Sequence, residues 1–213
     1  MPRYGGIDLH ATNSVIVLLD EQDHVVYPKR LPNQLPLILD QLAAYRADLQ
    51  GLVVESTYNW YWLVDGLMDT GYRVHLANPT AIEQYSGLKY TNDDSDAKWL
   101  AHLLRLGVLP EGYIYPKEQR PLRDLLRKRG QLVEQQTANV LSVQTIIVRN
   151  TGTRLSGTKI KQLTQDEVET LLPHDDQTLA VRSALRVMAC LAEQINLVEK
   201  RVQSRIQSTP LYE

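Results

Sequence analysis

Apolar positions follow two rhythms along the chain, and the change falls near residue 116. Before it, short apolar runs rich in β-branched residues alternate with helical spacing. Tyr4–Leu9, Ser14–Asp20 and His24–Leu31 read as three meandering strands, with a polar turn at Glu21–His24. Pro32 and Asn33 break the pattern, and Leu35, Leu39, Leu42 and Ala43 predict a helix to about Ala47. Gly51–Glu55 and Tyr72–Leu76 are further strands, separated by a helix from Tyr58 to Asp69 with Thr57 as its expected cap. A short helix from Pro79 to Glu83 and a longer one over Asp93–Leu106 complete the series. The order βββαβαβα predicts an α/β fold with a mixed sheet and flanking helices.

After residue 116 the period lengthens. Leu126, Val133, Val140 and Ile147 stand seven apart in a helix starting at Pro121, with Leu122 and Val143 on the adjacent row. Val181, Met188, Ile195 and Val202 repeat the spacing, beside Leu191 and Val198. A polar break over Asn150–Thr158 and a short helix, Thr164–Leu172, lie between. Two such helices predict a coiled-coil hairpin, with Met188, Ile195, Val202, Val133, Val140 and Ile147 as contacts to a second copy and Gln136 and Asn139 setting register. The chain thus divides into residues 1–116, an α/β domain, and 117–213, a helical dimerisation segment.

Charge sharpens this division. The formal net charge is only -2, but residues 117–161 carry 10 basic against 3 acidic side chains, and residues 1–116 carry 8 against 14. Arg120, Arg123, Arg127, Lys128 and Arg129 fall in the first turns of the long helix, and Lys159 and Lys161 follow the break. This basic stripe predicts contact with nucleic-acid phosphates. One cysteine, Cys190, excludes a disulfide framework, and five scattered histidines speak against zinc. Cys190 reads as a buried small hydrophobe. No apolar run spans a membrane and no signal peptide precedes the first strand, so the expected place is the cytoplasm.

Four carboxylates carry the candidate chemistry. Asp8 interrupts the apolar strand Gly5-Gly6-Ile7-Asp8-Leu9, where a bare buried charge is costly. Glu55 ends the apolar strand Leu52-Val53-Val54-Glu55, at the strand terminus where open α/β sheets place their sites. Asp93 and Asp96 are three apart on a helix face that continues through Leu100, Ala101 and Leu104. Acids converging this way repel one another unless a cation lies between them, and oxygen-only donors suit Mg²⁺ or Mn²⁺. Paired hard cations suit phosphodiester chemistry.

The meander bearing the first Asp, the Glu at the end of the fourth strand and the D-x-x-D helix resemble the ribonuclease-H-like, RuvC-like nuclease fold. More closely, Gly6-Ile7-Asp8-Leu9-His10, Val54-Glu55-Ser56-Thr57, Ala77-Asn78-Pro79 and Asp93-Asp94-Ser95-Asp96-Ala97 with Leu100-Ala101 resemble the DEDD-type insertion-sequence transposases, relatives of the Piv DNA invertases. The resemblance implies that Asp8, Glu55, Asp93 and Asp96 bind Mg²⁺ or Mn²⁺ as the catalytic acids. It also implies a DNA substrate, a structured guide RNA, and an active site shared across a homo-oligomer, with an attacking serine from a C-terminal domain. Asp94 stands where the family often has a basic residue, and no segment up to Glu213 reads as that serine domain. The expectation is therefore a transposase N-terminal portion that is inactive alone.

Two other readings attach to the same residues. Gly6–Ser14 also resembles the first phosphate loop of actin-like chaperone ATPases, but His10-Ala11 stands where that loop needs glycine and threonine. A non-catalytic nucleic-acid-binding dimerisation module would leave the acids structural. His10, two residues past Asp8, shares its strand face. Tyr58, Trp60, Tyr61 and Trp62 read as core, and Ser56 and Thr57 as caps rather than nucleophiles.

Overall fold

The computed structural model describes residues 1–82 and 93–207, with the side chains of residues 93–95 outside that description. It contains two compact units, Met1–Ile114 and Tyr115–Glu213. In the first, β1 (Arg3–Leu9), β2 (Asn13–Leu19), β3 (Val25–Pro32), β4 (Leu49–Glu55) and β5 (Val74–Ala77) form one sheet in the order β3-β2-β1-β4-β5. The first three strands run antiparallel as a meander, while β4 and β5 pair parallel to β1 and to each other. This is the mixed sheet that the element order predicted, in the ribonuclease-H-like arrangement that the resemblance implied.

Period-two alternation sorts the strand residues onto two buried faces. Ile7, Leu9, Ile16, Leu18, Leu52 and Val54 pack with Ile38 and Leu42 of α1 (Leu35–Ala43) and with Leu63, Val64 and Leu67 of α2 (Tyr61–Asp69). On the opposite face, Val15, Val17 and Leu19 meet Ala97 and Ala101 of the helix over Asp93–Leu106, and Val53 and Ala77 meet its Leu100. With α3 at Pro79–Ile82, that helix is α4. It lies close against β1 because the residues at the crossing are small. A Cβ on Gly6 would collide with the Ala97 carbonyl oxygen and stand 2.8 Å from the Ala101 nitrogen.

The expected cap at Thr57 is corrected. The α2 helix starts three residues later, with Trp60 at its N-cap and no side-chain capping bond. Thr57 instead donates its hydroxyl to Asn59 Oδ1 at 2.8 Å. Glu83, the expected end of α3, lies outside the described residues.

The second unit is a helical hairpin. The α5 helix (Arg120–Thr151) has Pro121 in its first turn and ends at Gly152, whose φ of +71° a side chain would strain. Inside the expected polar break, α6 (Gly157–Lys161) forms on a Ser156 cap. The next helix, α7 (Gln165–Leu171), opens on a Thr164/Glu167 capping box, and α8 (Asp175–Gln207) returns along α5. Val140, Val143, Ile147, Val181 and Met188 are buried together, roofed by Ile160, Leu163, Val168 and Leu172.

The buried parts of both heptad rows therefore close on each other within one chain, while Leu126 stays 48% exposed and Val133 and Ile195 half-buried. Val140, Ile147, Met188 and Val202, expected as contacts to a second copy, are at most 9% exposed already. Gln136, expected to set register, donates its Nε2 to the Met188 carbonyl at 3.4 Å within the hairpin, and Asn139 donates to the Gln135 carbonyl of its own helix. Cys190, expected to be buried, is exposed on the outer side of α8. No described helix is long and apolar enough to cross a membrane.

Candidate functional site

Strand parity fixes the candidate acids. Asp8 shares the face of Gly6, the face that α4 covers, and is 4% exposed. Glu55 shares the face of Val53, which also packs under α4, and is half-buried at the end of β4. The two acids sit one position beyond the paired residues Ile7 and Val54, at neighbouring ends of parallel strands. Asp96 is half-buried in the first turns of α4, directly before Ala97, the residue pressed on Gly6. Asp93 opens the same helix; its side chain lies outside the described residues. Asp8 and Glu55 thus share the sheet face that α4 covers, and Asp96 belongs to that helix. Among the described residues, no three Asp, Glu, His or Cys side chains form a group able to hold a metal.

His10 and two asparagines build the surroundings of Asp8. His10 Nε2 lies 3.3 Å from Asp8 Oδ2, in ion-pair range but off the line of a hydrogen bond. The His10 carbonyl accepts from Asn33 Nδ2 at 2.9 Å and from Asn59 Nδ2 at 3.1 Å. Each asparagine is held in turn: Ser14 Oγ donates to Asn33 Oδ1 at 2.7 Å, and Thr57 Oγ1 to Asn59 Oδ1. The Thr57 N–H donates to the Glu55 carbonyl at 2.9 Å. A continuous hydrogen-bonded path therefore runs from the end of β4, after Glu55, to the end of β1, after Asp8. Sequence reading missed this brace. Asn33 was visible only as a break after Pro32, and Asn59 carried no signal.

A second polar cluster ties the meander to α4. Asp23, in the β2–β3 turn at φ +66°, accepts from Arg105 Nε at 2.7 Å and pairs with His102 Nδ1 at 2.9 Å. Burial alone pushes the Asp23 carboxyl upward, but the hydrogen bonds from Arg105 and His102 outweigh it and hold the group below the ordinary carboxylate value. His102 also stacks on Trp99, with ring centroids 5.5 Å apart.

The basic stripe divides into committed and uncommitted side chains. Arg120 is only 6% exposed and donates Nε to the Tyr115 carbonyl at 2.7 Å, anchoring the start of α5 rather than facing solvent. Arg123 lies over the Tyr115 ring, 5.0 Å from its centroid. Arg129 pairs with Glu199 of α8 at 2.6 Å. Lys159 pairs with Glu167, and Lys161 donates to Gln136 at 2.8 Å. Lys128 is exposed and donates to Gln131 at 2.9 Å; Arg127 is exposed with no partner among the described residues.

The family model of the DEDD-type IS110 transposases, described as Transposase, matches residues 5–150. Among solved structures, T. thermophilus RuvC in complex with Holliday junction substrate is similar at a TM-score of 0.40 and 12% identity, over 53% of this chain and 100% of that one. No curated protein matches significantly.

Proposed function

This chain belongs to the DEDD-type IS110 transposase family, and from that premise we propose that it takes part in metal-dependent cleavage and transfer of DNA strands during transposition. The observation that carries the reading is the shared face of Asp8 and Glu55, at adjacent ends of parallel strands, under the helix that brings Asp96. An all-oxygen donor set of this kind fits Mg²⁺ or Mn²⁺. In the proposed site Asp8, Glu55, Asp93 and Asp96 hold the cation. When bound, it would supply charge stabilisation at the attacking and leaving oxygens of a phosphodiester.

The rest of the work falls to the chain itself. Close packing at Gly6 fixes the start of α4 over β1 and β2, which positions Asp96. The Asn33/Asn59 brace holds the ends of β1 and β4 together, which limits the separation of Asp8 and Glu55. Exposed Arg127 and Lys128, with Arg123 and Arg129, meet DNA phosphates. A serine nucleophile from a further domain, a structured guide RNA and a homo-oligomer complete the proposal, acting in the cytoplasm and inactive as this portion alone.

The test is calorimetric titration with Mn²⁺ of the wild type, Asp8→Asn and Glu55→Gln, alongside thermal unfolding. Each substitution is expected to weaken Mn²⁺ binding at least about tenfold while the folded state persists. Wild-type protein that takes up no Mn²⁺, or folded variants that bind it as well as wild type, would refute the site.

A further inference from the structure

Three cross-hairpin bonds fix how α5 and α8 align. Arg129 pairs with Glu199, Gln136 reaches the Met188 carbonyl, and Gln177 Nε2 donates to Asn150 Oδ1 at 2.9 Å. The helices are antiparallel, so the first turns of α5 lie beside the last turns of α8, at the open end of the hairpin.

That alignment regroups the charges. Residues 162–213 look acidic along the sequence, with 5 basic against 8 acidic side chains. Their basic residues at the end of α8, however, fold beside the basic start of α5. The open end, residues 117–134 with 193–207, holds nine basic side chains against five acidic ones. The closed end, residues 149–182, holds five of each. Lys200 and Arg201 are exposed and have no partner among the described residues; Arg205 is exposed one turn further on.

Composition decides what such a surface can read. Residues 116–211 contain no Phe, Tyr or Trp. Single strands are held largely by stacking bases on aromatic rings; α5 and α8 offer none on this surface, and the ring of Tyr115, just before α5, is already covered by the Arg123 guanidinium. The surface offers only charge, which suits a phosphate backbone whose bases are already stacked in a duplex.

We infer that the open end of the α5/α8 hairpin is a docking surface for the backbone of duplex DNA, and that Lys200 and Arg201 belong to it together with Arg127 and Lys128. This rests on the proposed reading of the chain as a DNA-binding transposase, and extends its phosphate contacts to a helix that the sequence left out of them.

The experiment measures binding of a fluorescent mixed-sequence DNA duplex by anisotropy over a series of salt concentrations. Three double variants are compared: Lys200→Ala/Arg201→Ala, Arg127→Ala/Lys128→Ala, and Arg149→Ala/Arg154→Ala at the closed end. All six side chains are exposed, and far-UV circular dichroism confirms that the hairpin is retained. The α8 variant is expected to bind about tenfold more weakly and to lower the salt slope by about 1.8, near 0.9 for each lost contact. The closed-end variant should leave the slope unchanged. An α8 variant with the wild-type slope, beside an α5 variant with a reduced one, overturns this inference and leaves the DNA-binding reading standing. If neither variant changes the slope, that reading falls as well. A matching single strand bound more tightly than the duplex also overturns the inference.

Discussion

The two units reach stability by different routes. The sheet unit buries most residues of β1, β2 and β4 on both faces, so most of its core side chains are fully enclosed. The hairpin buries one stripe per long helix and leaves Leu126, Leu141, Leu179 and Leu197 about half exposed. Core contacts in the first unit join residues far apart in sequence, and backbone meets backbone at Gly6. In the second they are side-chain contacts along two helices that can shift slightly to relieve a defect. The lesson is that similar changes in side-chain volume should cost more in the sheet unit than in the hairpin.

The largest effect is expected at Gly6. Gly6→Ala sets a methyl against the backbone of α4, which no rotamer change relieves, and should cost about 3 kcal/mol in urea unfolding. A cost under about 1 kcal/mol would mean that α4 rides loosely on the sheet. In the hairpin, Ile147→Ala should cost about 2 kcal/mol, the low end for such a truncation, because two helices can close over the gap. A larger loss than at Gly6 would invert the comparison.

Third comes Asp23→Asn, expected to cost about 1.5 kcal/mol at neutral pH through weakened bonds to Arg105 and His102. The sign of its pH dependence follows from the depressed carboxyl. Its contribution is full above about pH 4, the unfolded value, and is lost as the pH falls through the lower folded value. Below that range wild type and variant should converge, which thermal unfolding across acid pH measures. The smallest effect is expected on the outer side of α8. Leu197→Gln should change stability by no more than about 0.5 kcal/mol. A larger loss that grows with protein concentration would show that this face is covered by another copy.

Sequence rhythm located most elements because burial imposes it. Two-sided burial makes Val15–Leu19 and Leu52–Val54 continuous apolar runs, and one-sided burial gives α5 and α8 their seven-residue spacing. What the rhythm could not show was pairing. The Val140 and Met188 rows look identical whether they meet each other or a second chain, and the choice turns on the α6–α7 connection that roofs them. Thr57 has the residue type of a cap, yet a closer acceptor, Asn59, takes its hydroxyl. Cys190 adjoins an apolar row, but a helix turns about 100° per residue, enough to bring a neighbour out to solvent. At the candidate site, strand parity made the shared face of Asp8 and Glu55 legible. The Asn59-to-His10 bond joins residues 49 apart and depends on where two loops end, which local pattern does not encode.

The missing aromatic residues of the hairpin have an optical consequence. Trp60, Trp62 and Trp99 all belong to the sheet unit. Tryptophan emission therefore reports on that unit and is silent about residues 116–211. The far-ultraviolet helical signal, in contrast, is dominated by the 32-residue α5 and the 33-residue α8. One sample heated once, observed at both wavelengths, yields two separate melting curves, each belonging to one half of the chain.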